Sequence, residues 1–169
     1  MDIVDVLART RIGETFNQYT DSSLRCARLR AYLDSRRDVE TILVGEAAGY
    51  RGARVSGLPF TSERQLTGSG PSEQSATIVH RVLEELGVAN EILLWNVVPT
   101  HPGTETSNRK PSREEVESSR TFLVELARGR RVVAVGRVAA EATGAPYVRH
   151  PSHGGAVEFA AGLRRTLGM

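Results

Sequence analysis

The sequence predicts an α/β protein of three layers, α/β/α, around a central, mainly parallel four-stranded sheet. Three observations lead there. Four short apolar runs, "TILV" at 41–44, "EILLWN" at 91–96, "RVVAVG" at 131–136 and "PYVRH" at 146–150, have the length and flanks of buried strands. Segments with helical spacing separate them, as in a sheet built by crossover helices. Glycines stand where strands should end and where helices should stop.

The first helix is expected over Ser22 to Ser35, with Leu24, Leu29, Tyr32 and Leu33 spaced as its apolar face and Cys26 among its inner residues. After "TILV", a loop runs through Gly45 to Phe60, and "TGSGPSEQS" follows as a surface loop. "SATIVHRVLEELG" is a helix of good formers stopped by Gly87. After the second strand, "PSREEVESSRTFLVELARG" is a helix with Ser112 as N-cap, Glu115 closing a capping box and Gly129 ending it. "RVAAEATG" is a short helix after the third strand, and "AVEFAAGLRRTL" closes the chain. At 169 residues, with no repeat or linker, one domain over 1–169 is expected.

Composition narrows the function. A content of 40% hydrophobic and 25% charged residues is that of a globular protein. No apolar run of membrane-spanning length occurs and the acidic start is unlike a signal peptide, so a cytoplasmic protein with no membrane partner is expected. Net charge is +2, and Lys110 is the one lysine among 22 basic residues. Arginine's planar fork suits phosphate oxygens, and an arginine-rich coding bias explains the same count. One cysteine excludes a cysteine-held cluster or zinc site, and the four histidines form no i, i+4 pair, so neither metal nor cofactor is expected.

In parallel α/β sheets, ligands bind beyond the carboxyl ends of the strands. That points to four loops: Gly45–Phe60, Asn96–Lys110, Gly136–Arg137 and His150–Gly155. They carry an acid, an aromatic, an amide and an imidazole in Glu46, Phe60, Asn96 and His150. Such a set can hold a flat heterocycle with donors and acceptors on its edge. No nucleophile with a partner base and no phosphate-loop lysine motif accompanies it.

Four motifs in order, "GEAAG" at 45–49, "GLPF" at 57–60, "LLWNVV" at 93–98 and "HPSHGG" at 150–155, resemble those of the uracil-DNA glycosylase superfamily. "NVVPTHPG" and "NRKPSREE" are similar to its iron–sulfur branch, from which the chain departs by lacking the four cluster cysteines. The resemblance runs from about Thr41 to the C-terminus. It implies hydrolysis of the N-glycosidic bond of uracil flipped out of DNA, single- or double-stranded, by a monomer that leaves an abasic site. The sole lysine, in a loop, argues against strand nicking through a Schiff base.

The resemblance also implies roles. His150 would donate to the pyrimidine O2, where negative charge grows, while a turn-capping histidine is the competing reading. Asn96 would read N3–H and O4, and Phe60 would stack on the base. Ala47 stands where the familiar branch has a water-activating aspartate, which leaves Glu46 as the acid for water or sugar cation. The competing reading pairs Glu46 with Arg51, Arg54 or Arg64. Gly49 stands where that branch has a tyrosine against the thymine methyl, leaving the wall to residues such as Tyr50. Ser152, His153 and Gly154 would lie against DNA, with Arg51, Arg54, Arg109 and Lys110 on phosphates. Two other readings stay open. One is a module that binds uracil or abasic DNA without turnover, or traps the sugar covalently through His153. The other is a nucleotide enzyme on an unrelated scaffold.

Overall fold

Parallel strands buried on both faces need apolar side chains along their whole length, and the strands are built that way. The computed structural model describes residues 2–169. In chain order it contains α1 (Ile3–Arg9), α2 (Ser23–Ser35), β1 (Thr41–Ala47), α3 (Ala53–Ser56), α4 (Glu63–Thr67), α5 (Gln74–Glu85), β2 (Ile92–Val98), β3 (Gly103–Thr104), β4 (Ser107–Asn108), α6 (Arg113–Ala127), β5 (Arg131–Val135), α7 (Arg137–Thr143), β6 (Tyr147–Val148) and α8 (Ala156–Thr166). The main sheet runs β2-β1-β5-β6, every pair parallel, and β3 with β4 forms a small antiparallel hairpin.

The sheet separates two cores. Ile42, Val44, Leu93 and Trp95 face α1, α6 and α7 through Leu7, Phe122 and Ala139. Leu43, Leu94, Val133 and Val148 face α5 and α8 through Val79, Leu83, Phe159 and Leu163. Together these layers are the α/β/α arrangement read from the sequence. β2 is an edge strand, and α2 guards it: the Tyr32 hydroxyl accepts the Leu94 N–H at 2.7 Å. Among the described residues no helix is long and apolar enough to cross a membrane.

Two details differ from the sequence reading. Leu24 is 59% exposed. The inner face of α2 runs through Cys26, Leu29 and Leu33, and at 100° per residue Leu24 falls opposite it. The short elements α1, α3, α4 and the β3–β4 hairpin carry too little periodicity to be foreseen.

Glu115 closes the capping box as read, and it does more. Buried to 1% exposure, it accepts from the Ser112 N–H at 2.9 Å and the Glu14 N–H at 3.2 Å, and it takes both arms of Arg109 at 2.6 and 2.9 Å. Arg109 first, then these amides, hold its carboxyl down at about 2. A carboxyl depressed on folding adds stability above its unfolded value and loses it as pH falls toward 2. The drop from 4.5 to about 2 corresponds to about 3 kcal/mol. Glu115→Gln should therefore lower stability by about 2–3 kcal/mol at pH 7 and by little near pH 2, as denaturant melts at the two pH values will read.

Candidate active site

A cavity of about 570 Å³ opens where β1 and β2 end, roofed by the loop after β1 and the loop after β6. Glu46, Ala47, Gly49, Tyr50, Arg51, Phe60, Asn96, Arg109, His150, Ser152 and His153 line it. The structure thus brings eleven of the fourteen residues singled out from the sequence to one place. Arg54, Lys110 and Gly154 stand off the lining.

The floor is set by register. Gly45 and Asn96 are partners in the β1–β2 ladder, and the pleat turns both to the same face. The outer end of the Phe60 ring packs against Gly45, so close that a Cβ there would come within 2.2 Å of Phe60 Cζ and 2.8 Å of Asn96 Oδ1. Only glycine admits the ring. Phe60 itself sits in the left-handed region, at φ 53, which a bulky side chain adopts only when its surroundings impose it. Those surroundings are visible. The Thr61 hydroxyl donates to the Pro59 carbonyl at 2.9 Å and lies 3.1 Å from His80 Nε2, while the Ser56 hydroxyl donates to the Thr61 carbonyl at 2.7 Å. Asn96 is 5% exposed and its amide makes no hydrogen bond among the described residues. Its polar atoms open on the cavity, which leaves them free for a ligand.

His150 resolves into a definite tautomer. Its Nδ1 accepts from the Ser152 backbone N–H at 3.1 Å and lies 2.7 Å from the Ser152 hydroxyl. The remaining proton therefore belongs to Nε2, which is left as a donor. Burial first, then His153, depress the imidazole's proton affinity and favour this neutral form. The turn-capping reading describes Nδ1, and Nε2 is left without a partner among the described residues. Gly136 lies behind the ring, where a Cβ would stand 3.7 Å from that of His150, so the Gly136–Arg137 loop supports the imidazole and does not line the cavity.

Glu46 stands at the end of β1, where the pleat turns it away from Gly45. It is exposed at the mouth, yet crowding raises its carboxyl above the usual range, with Lys110 acting the other way. It makes no ion pair with Arg51, Arg54 or Arg64. Arg54 donates to the Tyr50 and Glu105 carbonyls, and Arg64 to the Gly70 carbonyl. Arg51 lies over the Tyr50 ring at 5.3 Å.

Arg109 lines the cavity with its fork held by Glu115 and its side chain 40% exposed. A capping glutamate and a loop arginine six residues apart gave that pairing no sequence signature. The loop expected to lie only on the surface also enters the site through Ser72, Glu73, Gln74 and Ser75, and the β3–β4 hairpin enters through Asn108. Asn108 Oδ1 accepts the Tyr50 N–H at 2.9 Å. His101, buried completely, places Nδ1 2.7 Å from the Ala48 carbonyl and Nε2 2.6 Å from the Thr104 carbonyl, tying loop to hairpin. A cysteine-held cluster does not fit this chain: Cys26 stands alone, and its thiol donates to the Tyr19 carbonyl at 3.2 Å. Among the described residues no group of three or more His, Cys, Asp or Glu stands together for a metal.

A family model for the uracil DNA glycosylase superfamily matches residues 34–162. No curated protein matches the chain. Among solved structures, the crystal structure of wild-type SMUG2 from Pedobacter heparinus matches with a TM-score of 0.68, covering 99% of this chain and 97% of that one. Identity is 11%, so this likeness is one of fold.

Proposed function

The chain belongs to the uracil DNA glycosylase superfamily, and from that membership we propose that it hydrolyses the N-glycosidic bond of uracil turned out of DNA, leaving an abasic site. The observation that carries this reading is the Asn96 amide, set on the cavity beside the Phe60 ring with no hydrogen-bond partner among the described residues.

The chemistry follows from those side chains. The C1′–N1 bond breaks with its electron pair leaving on uracil, a water oxygen then bonds to C1′, and the proton that water loses balances the uracil anion, which is released as neutral uracil. Charge therefore separates into a sugar cation and a base anion. The Nε2–H of a neutral His150 meets the anion at O2, where a preformed donor costs no reorganisation. Asn96 accepts from N3–H and donates to O4, and Phe60 stacks beneath the ring. Glu46 faces the sugar side, where a carboxylate can steady the cation or orient the water. Ser152, His153 and Gly154, with Arg51, Arg54 and Lys110 around the mouth, would meet the DNA. Extruding the base costs a few kcal/mol, least for a mispaired or unpaired base. Lys110, beside Glu46 in a loop, is poorly placed for a Schiff base, so the strand is expected to stay intact.

A labelled oligonucleotide carrying one uracil, single-stranded or opposite guanine or adenine, tests the proposal. Alkali-labile product is expected from wild type. No product with a retained gel shift would instead support a binding module. His153, lining the cavity at φ 52, keeps a trapping variant in view, and a band that survives denaturant would reveal it.

The floor makes its own prediction. Gly45→Ala pushes the Phe60 ring off its seat, and a displacement of about 1 Å can cost about 100-fold in rate. Single-turnover excision should fall to that extent, while circular dichroism stays that of wild type.

A further inference from the structure

Glu73 is a second acid of the cavity that the mechanism above does not use. Two glycines of the loop after β1 are shaped around it: a Cβ would come within 2.0 Å of its Oε2 at Gly49 and within 2.9 Å at Gly52. The carboxyl is fixed from its own side as well. Its backbone N–H donates to the Ser62 hydroxyl at 2.8 Å, and its Oε1 accepts from the Ser75 hydroxyl at 3.1 Å. Oε2 has no hydrogen bond and Glu73 no ion pair among the described residues, although the residue lines the cavity. Burial raises its proton affinity, opposed by Ser75 and by His101.

A carboxylate at a DNA-binding pocket repels the phosphates of the ligand, and this one has no arginine or lysine paired with it. Such a group is useful only if positive charge appears next to it. In breaking a glycosidic bond, the one positive charge that appears is on the deoxyribose. Glu46 approaches the cavity from the end of β1 and Glu73 from the start of α5, so two carboxylates reach it from separate elements. We propose that Glu73 is a further catalytic residue, whose free Oε2 faces the reacting sugar and stabilises its cationic transition state. This rests on the glycosylase reading above.

The test compares wild type with Glu73→Gln and Glu73→Asp. Gln keeps the shape in the glycine cradle and removes the charge. Two quantities are read: the single-turnover rate on uracil DNA, and affinity for two abasic analogues, a cationic pyrrolidine and a neutral tetrahydrofuran. Glu73→Gln should slow excision by about 100-fold and lose the preference for pyrrolidine over tetrahydrofuran by a comparable factor. Glu73→Asp should recover part of both. An unchanged rate in Glu73→Gln would overturn the inference and leave the glycosylase standing. So would a slowed rate with the pyrrolidine preference intact, which would make Glu73 a brace for the loop. Wild type that fails to excise uracil at all would overturn the glycosylase reading, and this inference with it.

Discussion

Replacing Asn96 by alanine is expected to lower uracil excision by about 1,000-fold while leaving the protein about as stable as wild type. The two halves have the same cause. The amide opens on the cavity and makes no hydrogen bond among the described residues, so its removal takes no hydrogen bond from the fold. In the proposed complex the same amide pairs with both N3–H and O4, and without it those base atoms are buried unpaired. Sites that read a substrate through such polar groups discriminate by factors of about 10,000, which sets the scale of the loss. Cytosine reverses donor and acceptor at both positions, so wild type should ignore it. Thermal melts beside single-turnover rates on uracil and cytosine oligonucleotides check both halves. A variant that lost activity and stability together would show that the amide serves the fold.

His150→Ala should slow excision by about 100- to 1,000-fold, the usual cost of deleting a preformed donor. The pH dependence is more specific. In the folded protein the imidazole binds its second proton less readily than its ordinary 6.5, because burial disfavours the charge. That proton would also go to Nδ1, the atom that accepts the Ser152 N–H. Activity should hold through pH 6.5 and decline only below it, as the turn at Ser152 comes apart. Stability follows the same sign. A group depressed on folding contributes above its unfolded value, and the contribution is lost as pH falls through the lower folded value. Single-turnover rates between pH 4.5 and 8 check the limb, which should be missing from the residual rate of His150→Ala.

Much of this site was legible because its residues stand at strand ends, where a short apolar run and a following loop mark them in the chain. Asn96 and Gly45 could each be placed in that way. Their pairing in register, with the Phe60 ring packed on the face they share, could not, since it depends on how β1 and β2 align. Glu73 was hidden for a related reason. It lies in a polar stretch before α5 that reads as surface, and its importance appears only when Gly49 and Gly52, more than 20 residues earlier, are found packed on its carboxyl. Arg109 shows the same limit from the other side. As a loop arginine it invites assignment to a phosphate, and its ion pair with Glu115 appears only in the fold. Local pattern identifies the elements, whereas long-range ion pairs and close approaches of glycine depend on the assembled fold.

The most direct measurement of the central claim is the intact mass of a uracil-containing oligonucleotide after incubation with the wild-type protein. The strand is expected to lose uracil and gain the elements of water, giving a full-length abasic product with free uracil released beside it. An unchanged oligonucleotide mass under conditions where the protein binds that DNA, or a mass that includes the protein, would contradict it.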